Sequence, residues 1–147
     1  MSTDRIEKSI VLRAPRARVW RAISEAQEFG TWFRVKLDGA FSPGATVRGR
    51  STYPGYEGAA MELRIERMEP ETLFSYRWHP GAEEPRDPSE PTTLVEFRLE
   101  DVAGGTRLTV IESGFDRIPT PRRAEAFRSN DSGWTEQVKN IEAHVAA

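Results

Sequence analysis

Along most of the chain, apolar and polar residues alternate with a period of two. In the stretch 5–14, RIEKSIVLRA, Ile6, Ile10 and Leu12 fall on one side. The stretch 46–53, TVRGRSTY, alternates arginine with small or apolar residues, and 60–68 sets Met61, Leu63 and Ile65 against Glu62, Arg64 and Glu66. In 72–78, Phe74, Tyr76 and Trp78 oppose Leu73, Ser75 and Arg77; in 93–101, Val95, Phe97 and Leu99 oppose Glu96 and Arg98. The stretch 105–113 is a further β-rich run. Strands with one apolar and one polar face predict an antiparallel sheet covered on one side only.

Two segments switch to helical spacing. In RARVWRAISEAQEF, Val19, Ala22, Ile23 and Ala26 form a stripe behind Pro15, a residue suited to a first helical turn. Gly30 is read as the end of this helix or of a short successor, and TWFRVKLDG as a strand or turn carrying Trp32 and Phe33. Near the end, Thr120-Pro121 predicts a helix start. Trp134, Val138, Ile141 and Val145 then follow at spacings of four, three and four, a stripe for burial. The run SNDSG (129–133) lies between, and sequence leaves open whether it kinks one helix or separates two. The segment 79–91, HPGAEEPRDPSEP, is too rich in proline and acid for a strand and is read as a long loop. The expected fold class is α+β: a curved antiparallel sheet of about six to seven strands wrapped around a long C-terminal helix, its only long apolar cover.

Composition narrows the function. A length of 147 residues suits one domain, taken as 1–147. The formal net charge of -2 argues against a nucleic-acid partner, and Arg16, Arg18, Arg21, Arg122 and Arg123 are read as solvated helix faces. With no cysteine there is neither a disulfide nor a thiolate nucleophile. The charged N-terminus lacks a signal core, and no apolar stretch approaches a bilayer span, so no membrane insertion and a cytoplasmic location are expected. His79 and His144 are the only histidines, and no spacing suggests a metal site; no cofactor is expected. No glycine-framed serine and no phosphate loop occurs.

The aromatics and one carboxylate carry the functional expectation. Trp32, Phe74, Tyr76, Trp78, Phe97, Phe115 and Trp134, with Val138 on the helix stripe, are candidate cavity residues as well as core residues. Glu112 shares parity with Leu108 and Val110, so regular alternation turns it inward just before Ser113-Gly114. A carboxylate there needs a partner or a raised pKa, and Tyr76, an arginine or ordered water is expected to hold it.

The stretch IVLRAPRARVWRAISEAQEFGTWF (10–33), with Ala14-Pro15, Val19-Trp20 and Trp32-Phe33, resembles the opening of SRPBCC proteins of the START-like, helix-grip superfamily. Together with GTRLTVIESGF (105–115) and Gly133-Trp134, it resembles the branch similar to the activator of heat-shock protein 90 ATPase. The resemblance implies a cavity between the curled sheet and the last helix. Across the superfamily it implies lipid or hormone carriage, polyketide cyclisation or aromatisation, or co-chaperone work, and fold alone does not choose among them. The eukaryotic co-chaperone role depends on a further domain, for which this chain has no room.

Three functions are therefore in play. A small-molecule binding module holding an apolar or aromatic ligand is preferred. A polyketide cyclase or aromatase-like enzyme would use Glu112 with Tyr76 or His79 for acid–base work. A co-chaperone-like interaction domain, or a homodimer, would need an exposed apolar patch that the Arg- and Glu-rich outer strand faces do not supply.

Overall fold

A computed structural model describes residues 5–80 and 90–146, apart from the side chains of residues 120 and 121. The elements run β1 (Arg5–Leu12), α1 (Arg16–Ser24), α2 (Ala26–Phe33), β2 (Val35–Leu37), β3 (Thr46–Ser51), β4 (Ala60–Glu69), β5 (Leu73–Trp78), β6 (Thr93–Val102), β7 (Gly105–Ser113), a 3-10 turn (Phe115–Arg117) and α3 (Thr120–Ala146). The seven strands form one sheet in the order β1-β7-β6-β5-β4-β3-β2, with each neighbouring pair antiparallel. This is the helix-grip arrangement that the one-sided strands predict. Most of the segment 79–91, residues 81–89, lies outside the described residues.

The inward face follows strand parity. Register places Ile65 beside Tyr76, Tyr76 beside Val95 and Val95 beside Glu112, while Phe74 pairs with Phe97 and Phe97 with Val110. Against this face α3 buries Ala126, Trp134, Gln137, Ile141 and Val145. A register shift in β4 between Ile65 and Arg67 adds a bulge, the usual device for bending a strand.

One expectation changes and one open question is answered. Trp32 and Phe33 belong to the last turn of α2 rather than to a strand, and Gly30 sits inside that helix. A Cβ on Gly30 would lie 2.4 Å from the carbonyl oxygen of Val35, so glycine is needed because the chain folds back tightly from α2 into β2. Arg34 makes the reversal in the left-handed region, at φ 65°. At the other end, SNDSG does not break the helix: α3 is continuous over 27 residues. These residues are weak helix formers, but tertiary bonds compensate. Asn130 donates to Glu112, and Asp131 pairs with Lys8 of β1 at 3.0 Å.

Candidate functional site

Glu112 stands one residue before the end of β7 and is fully buried. Its two oxygens collect donors from three elements. Trp78 Nε1, from the end of β5, donates to Oε2 at 2.8 Å, and the Thr93 hydroxyl, from the start of β6, donates to the same oxygen at 2.5 Å. From α3, Trp134 Nε1 donates to Oε1 at 2.7 Å, and Asn130 Nδ2 lies 2.9 Å from both oxygens. Burial raises the carboxyl pKa above its ordinary value, and the bonds from Thr93, Trp78, Trp134 and Asn130 oppose that rise.

The partners differ from those expected. Neither an arginine nor Tyr76 holds the carboxylate. The Tyr76 hydroxyl is buried with no hydrogen-bond partner, and burial, followed by the charge on Glu112, pushes its pKa well up. Thr93 and Asn130 were not among the candidates. Thr93 had a legible signal, since it shares inward parity with Val95 and Phe97; Asn130 was hidden in a run that reads as a helix breaker.

In front of this network lies a cleft of about 1080 Å³ between α3, the end of α2, the edge strand β2 and its neighbour β3. Trp78 and Trp134 border it, their rings 5.8 Å apart. Both indole N–H groups are spent on Glu112, so the rings are fixed in orientation by a carboxylate that lies behind them. Phe33, Leu37 and Met61 add apolar wall, and Asn130 and Gln137 add polar groups. Gly133 contributes bare helix backbone, because a Cβ there would meet nothing within 4 Å.

The other candidate residues sit elsewhere. Trp32, Phe97 and Val138, with Trp134, surround a packing void too small for water. Trp32 is anchored by donating to the Ala22 carbonyl at 2.8 Å. Phe74 and Tyr76 are buried in an aromatic cluster around Phe29, and Phe115 packs against Phe127. The histidines are separate. His79 borders the cleft with Nε2 2.8 Å from the Glu90 carbonyl, whereas His144 lies 2.9 Å from Glu28 at the far end of α3. Among the described residues no three His, Cys, Asp or Glu side chains gather as metal ligands.

The sequence matches the family described as Activator of Hsp90 ATPase homolog 1-like protein over residues 13–146. The chain belongs to this family. Solved structures with the same fold include a Mesorhizobium loti protein, 20% identical, with a TM-score of 0.78 over 97% of this chain and 96% of that one. DynU16, from the dynemicin biosynthetic locus, is 22% identical, with a TM-score of 0.74 over 98% of this chain but 48% of its own. The Aha1 dimer from Colwellia psychrerythraea is 16% identical, with a TM-score of 0.73 over 96% and 95%. No curated protein matches the sequence. As a member of this family the chain carries the helix-grip fold, and among its described residues no helix is long and apolar enough to cross a membrane.

Proposed function

We propose that this protein binds a small apolar or aromatic molecule in the cleft between α3 and the edge of the sheet. The observation that carries the reading is the pairing of a 1080 Å³ cleft with two indoles held rigidly by a buried carboxylate. Ligand sites of this size are mostly apolar with a few fixed polar groups. Immobilised aromatic walls bind at a low entropic cost, because they are ordered before the ligand arrives.

The binding reading is favoured over a cyclase-like one by the state of Glu112. Its oxygens already take bonds from four side chains of the protein itself, and a general acid or base needs an open contact with the reacting group. Glu112 is therefore a positioning residue. The likeness to a protein of a biosynthetic locus is in keeping with a small-molecule ligand.

The test is Gly133→Leu. Open space faces that position, so the new side chain enters the cleft without disturbing the core. Neutral aromatic probes such as naphthalene and 2-naphthamide should quench tryptophan fluorescence saturably in the parent and raise its melting temperature by linkage. Gly133→Leu should stay folded and lose both responses. A parent that binds none of these probes, or a variant that binds them as well as the parent, overturns the proposal.

A further inference from the structure

The outer face of the sheet, opposite the core and the cleft, divides into two halves that treat charge differently. Strand parity assigns the face: Val47, Leu63, Tyr76, Val95 and Val110 are buried inward, so the residues between them project to solvent. On β6, β7 and β1 the outward charges are matched. Arg98 pairs with Glu96, Arg107 with Glu100 and Arg5 with Glu7.

On β2 to β5 they are not. Glu62 takes Arg48 at 2.9 Å, Glu66 takes Arg77 at 3.3 Å and Glu69 takes Arg67, while Asp38 adds only to the field at Arg48. Lys36, Arg50 and Arg64 share this face, and among the described residues none of them is ion-paired; Arg50 donates to the Gly58 carbonyl, which neutralises nothing. The surplus cations also oppose cations. Lys36 lies directly across from Arg50 in the β2–β3 register, and Arg64 directly across from Arg77 in the β4–β5 register. Like charges directly opposite across a strand pair are destabilising, so folding alone does not favour either pair.

We propose that the outer face of the β2–β5 half-sheet docks an acidic, extended segment of another protein, with carboxylates meeting Lys36 and Arg50 at one end and Arg64 at the other. Arg50 opposes Ala60, and Arg64 opposes Thr46, four residues back along β3 from Arg50. That offset is roughly 14 Å along the strands, the reach of about four residues of extended chain. The interleaved acids select the class of partner. A nucleic acid or an anionic membrane presents a continuous negative field, which Asp38, Glu62, Glu66 and Glu69 would oppose; a protein segment can set separate carboxylates against separate cations. The exposed large apolar side chains among the described residues, Val11 and Tyr56, lie on β1 and in the β3–β4 loop, so attraction on this face rests on charge and falls as salt rises. The surface faces away from the cleft and does not depend on how the cleft is read.

The probe is a fluorescently labelled peptide of five Glu-Ser repeats, with five Gln-Ser repeats as its neutral match, followed by anisotropy at low and at high ionic strength. The acidic peptide should bind the parent saturably at low salt, and the neutral one should not. The triple variant Lys36→Gln/Arg50→Gln/Arg64→Gln should weaken binding roughly tenfold, the effect of three screened surface contacts. Arg5→Gln/Arg98→Gln/Arg107→Gln, which removes the same charge from the matched half, should leave binding nearly unchanged. Without peptide, the first triple variant should melt at or above the parent temperature, because like-charge neighbours have been separated. A clear fall in melting temperature would give these cations a structural role and overturn the proposal. Equal loss in the two triple variants would reduce the effect to net charge, and no saturable binding to the parent would end it outright. Tighter binding of single-stranded DNA or phosphatidylserine vesicles than of the peptide would replace the acidic protein with a polyanion. Self-association of the parent in sedimentation, lost in the first triple variant, would replace it with a second copy of this chain.

Discussion

Replacing Glu112 with glutamine tests how the candidate site is built. The amide keeps the shape of the carboxylate but has one acceptor oxygen, and its nitrogen accepts nothing. With the nitrogen in the Oε2 position, Thr93 can turn its hydroxyl to accept, Asn130 keeps Oε1, and the Trp78 indole N–H is stranded against another donor. With the nitrogen at Oε1, the Trp134 N–H is stranded instead and the new NH₂ loses the help of Thr93. The first orientation is the better one, and either leaves one buried indole donor unsatisfied. Because burial raises the carboxyl pKa, loss of the charge is not itself the penalty; loss of an acceptor is. One stranded buried donor costs about 1–3 kcal/mol, which for a chain of this size lowers the melting temperature by roughly 3–10 °C. Urea unfolding followed by far-UV circular dichroism reads this without relying on the tryptophans. The pH dependence has a definite sign. A carboxyl whose folded pKa is raised gains stability for the fold as pH falls through that pKa toward its ordinary 4.5, and glutamine cannot follow. The gap between parent and variant should therefore widen from neutral pH down toward 4.5. Trp78→Phe should cost less in the glutamine background than in the parent, since the stranded donor is gone. A variant as stable as the parent at pH 7, or a gap that narrows as pH falls, would refute this account of the network.

Three further outcomes follow from particular contacts. Tyr76→Phe removes a buried hydroxyl that has no partner, so it should leave the fold unharmed or stabilise it by about 1 kcal/mol in denaturant titration; a loss of stability would mean that the hydroxyl is satisfied. Gly30→Ala improves helix propensity but drives a Cβ to 2.4 Å from the Val35 carbonyl oxygen, and a net loss of about 1–3 kcal/mol is expected in the same assay. For Glu28, burial acts to raise the pKa, but hydrogen bonds from His144, Arg18 and Arg21 outweigh it and hold the value at about 2. Its stabilising contribution is complete above the ordinary value of 4.5 and is lost as pH falls from there toward about 2, so Glu28→Gln should flatten acid unfolding over that window.

Much of the fold was legible because it rests on parity and stripe. Tyr76, Val95, Phe97, Val110 and Glu112 all fall inward as simple alternation requires, and Trp134, Ile141 and Val145 mark the helix face that covers them. Features that depend on contacts between distant segments were not legible. Gly30 reads locally as a terminator, and only the return of Val35 over it makes it a helix-interior necessity. SNDSG reads as a kink or a break, and contacts to Glu112 and Lys8 across the interface help to hold it helical. The aromatics were counted correctly but could not be sorted. Nothing in a sequence separates Phe74, packed beside Phe29, from Trp78, which reaches the cleft. The cleft itself is written mostly in what is missing, the side chain of Gly133 and, among the described residues, a strand beyond β2.

The question of why a carboxylate ends an inward-facing strand is then one of position rather than stability. Taking a carboxylate out of water costs several kcal/mol, and its bonds to protein donors return that without a large surplus. A well-packed leucine with apolar neighbours would serve the core at least as well. What leucine cannot do is couple directions. Trp78 arrives from β5, Thr93 from β6, and Asn130 and Trp134 from neighbouring turns of α3, and the bonds to one pair of oxygens are satisfied at only one rotation and height of the helix on the sheet. A helix carrying SNDSG at its centre has little intrinsic preference to hold that register. A slip of α3 would move Gly133 out of the cleft and turn the two indoles away from each other, so Glu112 sets the geometry of the cleft wall without lining it.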